Sequence, residues 1–211
     1  METITREAMR EADRHAIEDL GIPGIVLMEN AAMAVVREVM DRRSFTVVCA
    51  PGNNGGDGLA AARHLRVLDR SVEVFLIGDA ARGSADFRTN LNALERVAPG
   101  ALRPLDEGRF AEFEASLRRS DVCLDAIFGT GLTRPVEGLH RRAIEAMNGL
   151  ARHVVAVDLP SGLDADTGRE LGAAIRAHRT IAFHRMKRGL ILAPQFAGDV
   201  TVAYIGIPGR E

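Results

Sequence analysis

The stretch "FTVVCAPGNNGGDGLAAARHLRVL", residues 45–68, decides how this chain folds. It begins with β-branched and aromatic residues, which are typical of a buried strand, and it ends in a run with helical spacing of apolar residues. Between these runs, residues 50–58 hold four glycines and two asparagines. Glycine costs conformational entropy to order, so this cluster indicates a backbone that turns tightly or approaches a ligand closely. The stretch therefore predicts a strand, a ligand-binding loop and a helix.

Strands and helices go on alternating along the rest of the chain. The strand-like runs are Phe45–Ala50, Ser71–Gly78, Leu102–Leu105, Asp121–Phe128 and His153–Leu159, and then "RTIAF", "GLILA" and "DVTVAYIGI". Two helical patterns precede the first strand, and no linker or repeat interrupts the chain. Such alternation predicts a mainly parallel sheet with helices on both faces. We expect one three-layer α/β domain over residues 1–211, with a two-helix N-terminal extension.

The composition excludes several classes of function. The chain has 211 residues, of which 46% are hydrophobic and 27% charged, and a formal net charge of −2. This charge predicts no nucleic-acid partner and no anionic membrane surface. The N-terminal residues are too charged for a signal peptide, and no apolar run is long enough to span a bilayer. Cys49 and Cys123 lie in strand-like runs, which favours reduced, buried thiols and a cytoplasmic location.

The basic residues are twenty-six arginines and a single lysine, Lys187. Genome base composition produces biases of this kind, and the survival of one lysine by chance is an alternative interpretation. The functional interpretation is that Lys187 supplies a compact ammonium group that a guanidinium cannot replace.

Three loops that follow predicted strands are rich in Gly, Ser, Asn and Asp. They are "PGNNGGDG", "GTGLTRP" and "PSGLDADTG". A doubly wound sheet binds its ligand beyond the carboxyl ends of the strands, where the strand order reverses. If the order is 3-2-1-4-5, the strand at Phe45–Ala50 and the strand at Asp121–Phe128 are neighbours at this point. The three loops then converge on one cleft.

The first loop has the character of an anion site. Gly55, Gly56 and Gly58 would leave backbone N–H groups free at the start of a helix, which suits phosphate. Asp57 either caps that helix or contacts a ligand hydroxyl. The loop is not a P-loop, since Leu59 follows Gly58 where a P-loop has lysine. It is also not G-x-G-x-x-G, because with Gly52 as the first position the third position is Asn54 instead of glycine.

Oxygen-bearing side chains gather at the predicted strand ends, at Asn54, Asp125, Asp158 and Ser161. Neighbouring carboxylates repel unless a cation or a proton lies between them, and hard cations take carboxylate, amide and carbonyl oxygens. Zinc is disfavoured because the six histidines show no ligand spacing. For either aspartate alone, a strand-end cap is an equal alternative. Arg134 could contact a ligand phosphate or remain solvated.

The motifs together resemble the NAD(P)H-hydrate epimerase family, also called YjeF N-terminal domains. The resemblance covers nearly the whole chain. It is carried by "LMENAA", "GNNGGDGLAAARHL", "DAIFGTGLTRPVEG", "VDLPSGLDADTG", "TIAFHRMKRGL" and "AYIGIP". It implies a Rossmann-like α/β/α sandwich, a homodimer and no fused dehydratase domain. One departure is that His178 and Arg179 stand where the family usually has a small residue and Asp.

The resemblance also implies an activity and its residues. Family members interconvert the R and S epimers of hydrated NADH and NADPH (NADHX and NADPHX), and a separate dehydratase then consumes the S epimer. A potassium ion is implied at Asn54, Asp125 and Ser161. The implied substrate contacts are Asn53, Asn54, Gly55, Gly56, Asp57, Gly129, Thr130, Gly131, Leu132, Thr133, Arg134, Pro135 and Asp158.

For the chemistry, Asp158 is the first candidate for the acid or base, and Lys187 is the second, either as a proton donor or as a partner of phosphate. Two other functions stay open at this point. One is a non-catalytic nucleotide-binding or dimerising scaffold module of the same fold. The other is an NAD-dependent oxidoreductase, which fits poorly because a dinucleotide fingerprint is missing and the only tyrosine, Tyr204, lies near the C-terminus.

Overall fold

A parallel β-sheet of seven strands forms the middle layer of the computed structural model, which describes residues 3–209. The strands are β1 (Thr3–Ile4), β2 (Ser44–Cys49), β3 (Ser71–Leu76), β4 (Leu102–Pro104), β5 (Val122–Ala126), β6 (Val154–Val157), β7 (Arg179–Phe183), β8 (Met186–Lys187) and β9 (Asp199–Ala203). The short strands β1 and β8 pair only with each other, in parallel, and the other seven make the main sheet.

Helices cover both faces of this sheet. They are α1 (Arg6–Arg14), α2 (Gly24–Val39), α3 (Asn53–Val67), α4 (Ala85–Val97), α5 (Phe110–Arg119), α6 (Gly138–Leu150), α7 (Arg188–Leu192) and α8 (Pro194–Ala197). One large apolar cluster joins α2, α3 and α4 to one face of the sheet, and a second joins α5 and α6 to the other. The predicted three-layer Rossmann-like sandwich is confirmed.

The strand order is β4-β3-β2-β5-β6-β7-β9, and every neighbouring pair is parallel. The order reverses between β2 and β5, where Val48 lies opposite Asp125. These are the two strands that the sequence places on either side of the switch point. A crevice is expected here because the connections leave the two strands in opposite directions.

The "GLILA" run, residues 189–193, was predicted as a strand, and this prediction is wrong. Residues 188–192 form helix α7, which begins where Gly189 N–H donates to the carbonyl of Ala165 at 2.6 Å. A Cβ on Gly189 would lie 2.3 Å from the carbonyl oxygen of Asp164, so only glycine permits this approach. Short apolar runs have no period that separates a strand from a buried helix, and here a tertiary contact decides.

The predicted N-terminal extension has its two helices, α1 and α2. The hydroxyl of Thr5 caps α1 by accepting from Ala8 N–H at 3.2 Å. A turn of π-helix, His15–Asp19, continues α1 before the chain turns into α2. Among residues 3–209 no helix is both long and apolar enough to cross a membrane.

Candidate active site

A cavity of about 550 Å³ lies at the switch point, within the range of small-molecule sites. Its walls are the loops after β2 and β5, the start of α2, and helix α1. Most of the predicted substrate contacts line it: Asn53, Asn54, Asp57, Gly129, Thr130, Gly131, Leu132, Thr133, Arg134 and Asp158. The other predicted residues are not part of this lining: Gly55, Gly56, Asp125, Ser161 and Lys187 are buried, and Pro135 is exposed.

The loop after β2 enters helix α3 earlier than the sequence suggests. The helix begins at Asn53, and Gly56 N–H already donates to the carbonyl of Gly52 at 2.9 Å. The expectation that Gly56 and Gly58 offer free N–H groups to phosphate is therefore corrected, because both lie inside the helix. The N–H groups without helical partners are those of the first turn, from Gly52 to Gly55.

Gly55 has a packing reason for its missing side chain. A Cβ there would lie 1.9 Å from the carbonyl oxygen of Ala50. Its absence lets helix α3 start directly against the end of β2, and this brings Asn53 and Asn54 to the edge of the cavity.

Asn54 presents the clearest unmet demand for a ligand. Both polar atoms of its side chain are buried and have no hydrogen-bond partner in the described structure. A Cβ on Gly129 would lie 3.3–3.4 Å from the Asn54 amide, so that glycine leaves room beside it. Buried polar groups are rarely left without a hydrogen bond. An unpaired amide oxygen is also a ligand that hard cations bind.

Asp125 and Ser161 lie in the layer behind the cavity and are bonded to each other. Asp125 accepts from the Ser161 hydroxyl at 2.5 Å and from Ser161 N–H at 2.7 Å. The Ser161 hydroxyl oxygen accepts from Phe128 N–H at 2.8 Å. Burial raises the pKa of Asp125 to about 6, although the bonds from Ser161 oppose this. These contacts tie the loops after β5 and β6 together.

Asn54, Asp125 and Ser161 would offer a bound cation an amide oxygen, a carboxylate and a hydroxyl. Among residues 3–209, no group of three or more His, Cys, Asp and Glu side chains could hold a metal ion. A site here would therefore combine one carboxylate with neutral oxygens. A single carboxylate suits a monovalent ion better than a divalent one, which usually takes more charged ligands.

Asp158 is held in a special conformation at the end of β6. Its φ of +66° is in the left-handed region, which is costly for a residue other than glycine. Its Oδ1 accepts from Phe183 N–H at 3.0 Å and from the ammonium group of Lys187. Its Oδ2 has no hydrogen-bond partner in the described structure. One carboxylate oxygen is thus anchored while the other is left for a ligand in the cavity.

Lys187 lies behind Asp158 and does not reach the cavity. It is 0% exposed, and its ammonium group bonds both Asp158 and the carbonyl oxygen of Phe183, at 2.7 Å from the latter. This geometry favours a positioning role toward Asp158 over a direct contact with substrate phosphate. It also gives the single lysine a physical reason, since a compact ammonium group makes both contacts from a fully buried position.

Two further carboxyl groups face the same space. Asp57, in the second turn of α3, is buried, and burial together with the charge of Asp158 raises its pKa well above the usual value. Asp13, on helix α1, lines the cavity as well; burial and then Asp158 raise its pKa to about 6. The sequence analysis missed Asp13. Its signal was a carboxylate four residues after Met9, on the buried face of an amphipathic helix.

Residues His178 and Arg179, where the sequence departs from the family pattern, contact other parts of the chain. His178 Nδ1 accepts from Val154 N–H at 3.0 Å, and Arg179 pairs with Glu38 at 2.7 Å. Both belong to the end of the sheet where β6 and β7 begin. The departure therefore leaves the cavity unchanged.

Comparisons with known proteins agree with this geometry. A family model described as "YjeF-related protein N-terminus" matches residues 24–189. A protein of Anaerococcus prevotii named NAD(P)H-hydrate epimerase is 37% identical over 212 residues, which cover 100% of this chain and 97% of that protein. A protein of Thermofilum pendens named bifunctional NAD(P)H-hydrate repair enzyme Nnr is 41% identical over 204 residues. The match covers 93% of this chain but only 38% of that longer protein.

The fold has a counterpart among solved structures. The crystal structure of yeast ynu0 aligns with a TM-score of 0.81 and covers 100% of this chain and 97% of that one. The sequence identity is 23%, so this likeness supports the architecture alone.

Proposed function

This chain belongs to the family of YjeF-related protein N-termini, and we propose on that premise that it interconverts the R and S epimers of hydrated NADH and NADPH. A relative that matches it over its whole length is named NAD(P)H-hydrate epimerase. The observation that carries the proposal is the Asp158 carboxylate, which has one oxygen anchored and the other free in a cavity lined by both glycine loops.

The chemistry needs groups that handle a proton at one ring carbon. The hydrated ring carries a hydroxyl on a carbon bonded to nitrogen, so the nitrogen lone pair can expel the hydroxyl as water once it is protonated. Water that returns to the other face of the resulting iminium ion inverts the centre. An acid must assist the departure and a base must activate the returning water. Asp158 has a fixed orientation and a free oxygen, which suit either step.

The substrate's phosphates and ribose have matching groups on this chain. The first-turn N–H groups of α3 and the guanidinium of Arg134 are the positive partners at the cavity. Asp57 is a hydrogen-bond acceptor or donor for a ribose hydroxyl in the same space. Held at both ends, the reactive ring would be kept close to Asp158.

We include a potassium ion in the proposal, at Asn54, Asp125 and Ser161. Its support is the buried amide of Asn54, which has no protein partner in the described structure and lies against Gly129. The neighbouring residue, Phe128, is bonded to the Asp125–Ser161 pair through the Ser161 hydroxyl. When bound, potassium would supply a fixed positive charge at the edge of the cavity. We also propose a cytoplasmic location, supported by the two buried, unpaired cysteines. A dehydratase that consumes the product and a homodimer remain predictions, the latter testable by light scattering.

The decisive experiment is epimer interconversion. The R-hydrate of NADPH is incubated with the protein, with and without potassium, and the epimer ratio is followed by chromatography. We expect the protein to speed the approach to equilibrium above the uncatalysed drift, and Asp158→Asn to lower kcat by roughly 100-fold or more. Asp199→Asn, at an exposed position at the start of β9, is the matched control.

The result also separates the alternatives. If folded protein gives no acceleration with either hydrate, the epimerase proposal is wrong and the scaffold-module interpretation takes its place. If potassium changes neither the rate nor the melting temperature, the cation site is wrong while the activity stands. A bound ion must raise the melting temperature because it binds the folded state only.

A further inference from the structure

Helix α1 brings a second carboxyl group to the cavity, from an element that precedes the residues matched by the family model. Met9, Asp13 and Ala16 follow one another at intervals of four and three residues, so they share the buried face of the helix. Met9 and Ala16 are buried in the main apolar cluster. Asp13 lies between them and lines the cavity. A charged residue at the centre of a buried face needs a reason other than packing.

The position of α1 is fixed by contacts to the loops around Asp158. Strand β1 pairs with β8, and this places Ile4 opposite Lys187. Arg6 donates from its backbone N–H to Asp166 at 2.8 Å and from its guanidinium to Asp164 at 2.7 Å. The two aspartates follow β6, in the same loop as the predicted "PSGLDADTG" motif. These contacts hold the N-terminal segment in place as one wall of the cavity.

The environment of Asp13 leaves its carboxyl group available. No described side chain donates a hydrogen bond to it. The ionisable groups that act on it are Asp57 and Asp158, which are negative when ionised, and the ammonium of Lys187. Burial and the charge of Asp158 raise the pKa of Asp13, while Lys187 lowers it. The group therefore keeps a proton to higher pH than an exposed aspartate does.

Epimerisation at a single carbon makes a demand that Asp158 alone does not meet. The hydroxyl leaves one face of the ring and water arrives at the other face. The C–O bond breaks as the leaving oxygen takes a proton from an acid, and the nitrogen lone pair forms the C=N bond. The arriving water forms a new C–O bond as its proton passes to a base. No electron is gained or lost, but proton transfer must occur on both faces.

We propose that Asp13 is the second catalytic acid–base residue, serving the face of the ring turned toward helix α1 while Asp158 serves the face turned toward the end of β6. The two carboxyl groups come from different walls of one cavity, and each retains an oxygen free for the reacting hydroxyl or water. The inference rests on the proposed epimerase function and adds a named residue to it.

The test follows oxygen exchange and inversion separately. Each epimer is incubated in ¹⁸O-labelled water with wild type, with Asp13→Asn and with Glu7→Gln. Glu7 is an exposed carboxylate on the same helix outside the cavity lining, so its variant is the matched control. In Asp13→Asn we expect inversion to fall by about 100-fold or more. One epimer should keep near wild-type ¹⁸O exchange with retention, because Asp158 still assists departure and return on its own face.

Two results for the variant would overturn the assignment. If Asp13→Asn inverts the centre at the wild-type rate, Asp13 has no part in proton transfer. If it loses exchange with both epimers alike, Asp13 only supports the site as a whole. Circular dichroism checks that the variant is folded, and Asp13→Ser, of smaller volume, repeats the measurement if the amide disturbs the fold. Failure of the epimerase proposal itself is distinct: the wild type would then show neither inversion nor exchange above the uncatalysed rate.

Discussion

Lys187 is a single buried side chain that contacts both the candidate catalytic carboxylate and the backbone behind it. It is fully buried, and its ammonium group is bonded to a carboxylate and to a backbone carbonyl. The sequence could indicate its importance because it is the only lysine among many arginines. What it touches could not be predicted, since the contact with Asp158 depends on the crossing from β7 to β8 and on the unusual backbone angle at Asp158.

Replacing Lys187 should therefore destabilise the fold as well as the site. In Lys187→Met, Asp158 loses its buried counter-ion, and breaking such a pair typically costs about 3–5 kcal/mol. We expect about 3 kcal/mol in the free energy of unfolding, because the 13% exposed Asp158 side chain is partly solvated from the cavity. Urea denaturation measures the loss. Arg188→Met, the exposed neighbour, is the control, and equal stability of the two variants would contradict the role of the ion pair.

At the scale of elements, the glycines of β2–α3 were enough to predict a strand, a loop and a helix. They were not enough to predict which glycine lies in the helix and which permits a close backbone contact. Gly56 and Gly58 lie inside the helix, while Gly55 permits the close approach of α3 to Ala50. A local sequence cannot distinguish a glycine that faces a ligand from one that faces a carbonyl of the preceding strand. The same limit explains "GLILA", where a contact of Gly189 with Ala165 turns an apolar run into α7.

Two neighbouring substitutions in α3 should therefore differ sharply. In Gly55→Ala the new Cβ would meet the backbone oxygen of Ala50 at 1.9 Å, and the helix must shift at a cost of about 3 kcal/mol or more. In Gly56→Ala the Cβ meets the flexible end of Met28, and alanine gains about 1 kcal/mol of helix propensity. We expect Gly56→Ala to be nearly neutral in thermal denaturation. If both variants lose similar thermal stability, the close approach of Gly55 to Ala50 does not explain the cost, and this prediction is wrong.

At the scale of the whole molecule, sequence reasoning identified the sandwich and the switch point but treated the N-terminal helices as an extension. Strand periodicity and loop composition are local signals, so the parallel sheet could be derived from them. The place of α1 depends on contacts such as that of Arg6 with Asp164, 158 residues away in the chain. No local pattern encodes such a pairing. The carboxyl group of Asp13 was missed for this reason.

The pH dependence of the free energy of unfolding should reflect the raised pKa of Asp13. Its folded-state pKa of about 6 lies above the ordinary value of 3.8, so between these pH values the folded state binds more protons than the unfolded state. The contribution of Asp13 to the free energy of unfolding therefore falls as pH rises through this range, and it is lost once the pH has passed the folded-state pKa of about 6. Asp13→Asn lacks this loss.

We expect Asp13→Asn to be more stable than wild type at pH 7, by on the order of 1 kcal/mol after allowance for solvent screening. The difference should shrink as the pH falls toward 4, because the folded state is then protonated and the unfolded state, with a pKa of 3.8, is close to half protonated. Urea titrations from pH 4 to pH 7 measure it, with Glu7→Gln as the flat reference. A variant less stable than wild type at pH 7 would contradict the raised pKa.

The pairing of β1 with β8 also determines when, during synthesis on the ribosome, the active site can form. Residue 13 is synthesised early, but the strand that holds its segment in place ends at Lys187. At usual rates of translation the two are separated by roughly 10–35 s of synthesis. During that interval strand β1 lacks its partner β8, so helix α1 is not held in place. The wall of the cavity that contains Asp13 has therefore not formed. Turnover therefore begins only after Lys187 has emerged, which makes activity itself a report on the folding of this domain.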